Sequence, residues 1–81
     1  MMIKVVTIFW VDSAMHSNEQ IYLKEAQSKS LVDVISSGIL VAEYEDRIIL
    51  TMDSFMNGNE VRHVSVFPKA CIKRIIRHKI K

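Results

Sequence analysis

The side chains able to do chemistry are few, and their spacing favours binding over catalysis. Three histidines, His16, His63 and His78, are the candidate bases and metal ligands, and Cys71 is the only thiol. His16 stands between Ser13 and Ser17, but nucleophilic catalysis also needs an orienting acid and an oxyanion site. The local spacing supplies neither, so an ordinary loop histidine is expected. Zinc sites normally show ligands paired a few residues apart, a pattern the three histidines lack, so no metal site and no cofactor is expected. Cys71, next to Ile72, reads as a small buried apolar residue and not as a reactive thiol. Gly38 and Gly58 stand alone, which excludes a glycine-rich phosphate loop. No catalytic residue is expected, and the chain reads as a non-enzyme.

Binding has firmer support, because the charge is unevenly placed. The formal net charge is only +2, yet Lys69, Lys73, Arg74, Arg77, Lys79 and Lys81 are six of the eleven Lys and Arg. All nine acidic residues precede them. An acidic body with a basic C-terminal edge favours anionic partners, although a solvated tail that aids solubility is the plainer reading. The expected ligand-binding residues are Lys69, Lys73, Arg74 and Arg77 for phosphate, with Trp10 as an aromatic partner. Single-strand nucleic-acid binding would use stacking platforms, and none of the six aromatics is interleaved with the basic residues. A nucleotide needs only two or three cations and one aromatic, so it suits this composition better. A nucleic acid and a host protein remain alternative partners.

These residues must be positioned by strands. Ile3 to Val11 is β-branched and aromatic, the composition of a strand, and both of its faces are apolar. Such a strand is either central or covered by another subunit. Val6, Ile8 and Trp10 on one face are therefore candidate interface residues, together with Phe55 and Met56 beside a turn. Ser17-Asn18-Glu19-Gln20 resembles a capping box and predicts a short helix through about Ala26, though Ile21-Tyr22-Leu23 could equally begin a strand. Leu31 to Tyr44 is strand-like, with Gly38 marking a bulge or bend, and Glu45-Asp46 makes a tight turn. Arg47 to Phe55 and Glu60 to Phe67 form a hairpin around Asn57-Gly58, a pair that tolerates positive φ. Pro68 to Cys71 suits a 3₁₀ turn before a last strand from Ile72 to Ile76. A C-terminal amphipathic helix from Pro68 is the rival reading, because Ile72, Ile75, Ile76 and Ile80 fall near helical spacing.

The expected fold class is all-β with at most one short helix, a small SH3-like or Sm-like five-stranded barrel over residues 1–76. Residues 77–81 are expected to be a basic tail. Eighty-one residues form one domain that buries only about 60–65% of its unfolded surface, so a deep pocket is expected between subunits of a homo-oligomer. One cysteine suits a reducing cytoplasm. The apolar runs are far shorter than the roughly 20 residues that cross a bilayer, and the first residues lack a signal-peptide plan.

Trp10-Val11-Asp12-Ser13, Ser36-Ser37-Gly38-Ile39-Leu40-Val41, Asp46-Arg47-Ile48-Ile49-Leu50 and Phe67-Pro68-Lys69 with Ile72 make a pattern. It resembles small proteins encoded by bacteriophages and prophages. Those proteins usually carry Ile or Val at the position of Phe67, and residues 17–30 match poorly. The resemblance implies a phage-type origin and a small β fold, and suggests a host-takeover or counter-defence role in the cytoplasm of a bacterial host. It transfers no catalytic residue. Capture of an anionic (cyclic) nucleotide signal between subunits is the function expected from both lines together.

Overall fold

β1 (Val5–Asp12) lies inside a sheet, as its two apolar faces require, with β2 (Val32–Glu43) antiparallel on one side and β5 (Ile72–His78) on the other. The computed structural model describes residues 3–13 and 21–79. β3 (Arg47–Ser54) pairs with β2, and β4 (Val61–Pro68) pairs with β3, giving the order β4-β3-β2-β1-β5 in one antiparallel sheet. A 3₁₀ turn, Lys69–Cys71, joins the two edge strands, and a five-residue helix, α1 (Leu23–Gln27), is the one α-helix among the described residues. The all-β class is as expected.

Barrel closure is not. β4 and β5 end the sheet on opposite edges, with no ladder between them among the described residues. Phe67 near the end of β4 meets Trp10 of β1 across the core, but the rest of β4 is exposed. Phe67 is the only buried residue of β4, so little apolar packing draws that strand toward β5. The radius of gyration is 16.7 Å, against about 12 Å for a compact chain of this length, and residues 21–31, α1 included, are exposed as well.

The core sits on one face of the sheet. Val6, Ile8, Ile48, Leu50 and Phe67 are buried, with Trp10, Leu40, Ile72 and Ile75 packed against them. The ring of Trp10 meets Phe67 edge-on at 5.2 Å, and its indole N–H donates to Ser36 Oγ at 2.9 Å. This satisfies the polar end of a half-buried aromatic. β2 runs unbroken through Gly38, and its register shift falls between Leu40 and Ala42. Gly38 is required for close approach, not for a bend: a Cβ there would stand 3.0 Å from the Thr51 carbonyl oxygen and 3.1 Å from Leu50 Cβ.

The turns follow the sequence closely. Tyr44 N–H donates to Arg47 O at 2.8 Å across Glu45-Asp46, and Gly58, at φ 78°, donates to Phe55 O at 2.8 Å. Gly58→Ala forces a Cβ into left-handed backbone. We expect a loss of about 1 kcal/mol, measured by urea unfolding, with no change in the folded far-UV spectrum.

Two boundaries differ from expectation. β5 continues through His78, so Arg77 is a strand residue and not part of a tail, and residues 72–78 are not helical. α1 has Tyr22 at its N-cap with no side-chain cap. The capping box at Ser17–Gln20 lies outside the described residues.

Candidate anion-binding site

The 3₁₀ turn and β5 bring the basic residues of the sequence to one edge of the sheet. Lys69, Lys73 and Arg74 line a shallow groove of about 320 Å³ together with Ile72 and Ile75. Pro68 stops β4 and starts the turn, since it lacks the N–H a ladder needs. Lys69 N–H then donates to Asp46 O at 2.9 Å, fixing the turn against the start of β3. The groove thus combines cations with an isoleucine floor.

Not all of the cations are equally free. Glu43, at the end of β2, accepts two hydrogen bonds from the Arg77 guanidinium, both at 2.9 Å, and one from Lys69 Nζ at 2.8 Å. The guanidinium and then the ammonium hold the Glu43 carboxyl at about 2, well below its ordinary 4.5. Arg77 is pushed above its ordinary value by the same hydrogen bonds. This three-residue cluster ties β2, the 3₁₀ turn and β5 together across the core face. Lys73 has a looser partner, Asp33 at 3.1 Å, with both side chains largely exposed, and surface pairs of this kind contribute little. The Arg74 guanidinium stands 5.6 Å from the Phe9 ring centroid with no carboxylate partner within ion-pair distance among the described residues. Lys73 and Arg74 are therefore the cations an incoming anion can engage most easily. Asp33 and Glu43, which set that difference, carry no signal in the sequence, where they stand 40 and 34 residues from Lys73 and Arg77.

Other expected site residues are placed differently. Trp10 is packed against Phe67 with its N–H engaged, so it is a core residue and not a stacking platform at the groove. Val6 and Ile8 are 1% and 0% exposed within a single chain, so they are core and cannot form a subunit interface. Phe55 and Met56 are exposed at the hairpin end, Met56 fully, with the Arg62 guanidinium 5.5 Å from the Phe55 ring centroid.

No significant match to this chain exists among protein-family models, curated proteins or solved structures.

The site therefore rests on its own chemistry. His16 lies outside the described residues. His63, at φ 60°, borders a second groove of about 250 Å³ with Ser36, Met52 and Ser65 above Leu50 and Phe67. His78 Nε2 lies 2.7 Å from Thr7 Oγ1, on the sheet face opposite the core. Among the described residues, no three His, Cys, Asp or Glu are placed to hold a metal ion, and no helix is long and apolar enough to cross a membrane. What the basic groove can do is hold a phosphate between Lys73 and Arg74 while an apolar ring or sugar edge lies on Ile72 and Ile75.

Proposed function

We propose that this chain is a non-enzymatic binding protein that captures an anionic nucleotide on the β5 edge, within a homo-oligomer whose neighbouring subunit closes the open side of the groove. The observation that carries the reading is the meeting of Lys69, Lys73 and Arg74 around an isoleucine floor. Ligand sites pair an apolar lining with a few placed polar groups, and a phosphate beside a ring supplies both halves. The likeness to phage-encoded proteins supports a counter-defence role in a bacterial cytoplasm, in which the nucleotide is a signal withdrawn by sequestration. A polyanion is the second reading, because Lys73, Arg74 and Arg77 follow one another along an edge strand.

The test is thermal shift of the full chain against a panel of linear and cyclic nucleotides. A ligand at a hundredfold excess over Kd adds about 2.7 kcal/mol, a rise of roughly 10 °C or more for a domain this small. Lys73→Glu with Arg74→Glu is expected to abolish that rise. A panel without any shift removes the nucleotide reading. Binding to oligonucleotides that weakens steeply with salt would put a nucleic acid in its place.

A further inference from the structure

The sheet face opposite the core is built as an interface. The strand register places Phe9 opposite Ile35, Val5 opposite Ile39, Thr7 opposite Ile76 and Thr51 opposite Val64. Apolar residues thereby lie on all five strands of this face, with Ile49 on β3 opposite Val66, while Thr51 is buried and Arg74 stands among them over Phe9. Ile35, Val64 and Val66 on it are 66%, 49% and 57% exposed. An antiparallel sheet with one solvated face normally alternates apolar inward with polar outward, and this one does not.

The polar groups at the centre of that face are already satisfied by each other. Thr7 Oγ1 lies 2.6 Å from Ser37 Oγ and 2.7 Å from His78 Nε2, a chain across β2, β1 and β5. Groups paired in this way lose little when water is removed. Charges stand toward the two sides: Arg62 with Asp53 at 3.0 Å on β4 and β3, and Lys73 with Asp33 at 3.1 Å on β5 and β2. An apolar centre with a charged rim is the anatomy of a protein interface.

We infer that a second copy of this chain covers this face, which gives the proposed homo-oligomer its contact surface. One observation favours a copy. The rim ion pairs carry both signs on each side, so the face is suited to meet itself across a two-fold axis, with Arg74 standing over Phe9 at the β5 edge. The face that contacts a neighbour is thus the Thr7 face of β1, while Val6, Ile8 and Trp10 fill the chain's own core. It meets the basic groove at β5, where Arg74 lies over Phe9, so a copy seated here also stands beside the groove.

The experiment is light scattering behind gel filtration on the full chain at tens of micromolar, with circular dichroism on each variant. The wild type is expected at twice the 9.4 kDa chain mass. Ile35→Glu and Val66→Glu, on different strands of the face, are each expected to halve the mass with an unchanged far-UV spectrum. Met56→Glu, at the fully exposed hairpin end, is expected to keep the dimer. A wild type at the single-chain mass overturns the proposal, as does an assembly that both folded face variants leave intact. Failure of the nucleotide reading looks different. A single-chain mass with a nucleotide shift removes the dimer alone, and a dimer that no nucleotide stabilises removes the ligand alone.

Discussion

Ile8→Ala is expected to remove about 3–4 kcal/mol of stability, a large share of what a domain this small has. Ile8 is 0% exposed and sits in β1, an inner strand paired on both sides, facing Ile75 on β5 and Ser36 on β2. Truncating a buried isoleucine loses transfer free energy and leaves a cavity that the neighbours only partly fill. Hydrogen-bonded partners on both sides of β1 restrain it from moving into that space. A domain of 81 residues has a total stability of about 4–12 kcal/mol, and a core of five buried apolar side chains places this one toward the lower end. Urea unfolding followed by circular dichroism is expected to show the midpoint falling by roughly a third or more, with Met56→Ala unchanged. The same variant checks the core role that burial assigns to Ile8 against the interface role that a strand apolar on both faces leaves open in the sequence. A core residue unfolds the chain when truncated, whereas an interface residue would dissociate the assembly and leave the protomer folded.

That ambiguity marks how far the sequence can be read. The strands, the Glu45-Asp46 and Asn57-Gly58 turns and the 3₁₀ turn after Pro68 are local events, set by β-branched runs and by residues with restricted or permissive φ, and they are legible. Which face of β1 turns inward is not local. Val5-Thr7-Phe9 and Val6-Ile8-Trp10 are similarly apolar, and only the register with β2 and β5, which puts Val6 opposite Gly38 and Ile8 opposite Ile75, selects the second as the core. Barrel closure is hidden for a related reason. It depends on whether β4 packs over the core, and Val61 to Val66 would suit either a strand with one face buried or the exposed one observed. Gly38 stands out in the sequence, but its role is the approach of Thr51 and Leu50, a contact with a strand whose place only the fold reveals. The basic groove is legible as a charge cluster. Its division into held and available cations is not, because that division depends on carboxylates brought from β2.

Glu43→Gln is expected to lower stability and raise anion affinity in the same protein. The carboxylate accepts from both Lys69 and Arg77, and it lies at about 2 when folded against 4.5 ordinarily. A depressed carboxyl contributes stability that is fully present above its unfolded value and lost as pH falls. The window is therefore from about 4.5 down to about 2. Because the cluster is partly open to water, its contribution is about 1–2 kcal/mol and not the full linkage value. Wild-type stability, measured by urea midpoint at successive pH values, should fall through that window by this amount beyond any general acid effect. The Glu43→Gln variant should begin lower and lack this part of the fall, since an amide does not titrate there. Its effect on binding has the opposite sign. With the carboxylate neutralised, Lys69 regains an unpaired ammonium at the groove, so any phosphate held by Lys73 and Arg74 gains a further cation. A variant that melts earlier when empty yet shows a larger thermal shift with nucleotide would mean that one carboxylate trades ligand affinity for the attachment of β5. A variant that loses stability without gaining affinity would confine Glu43 to a structural role and move the anion away from Lys69.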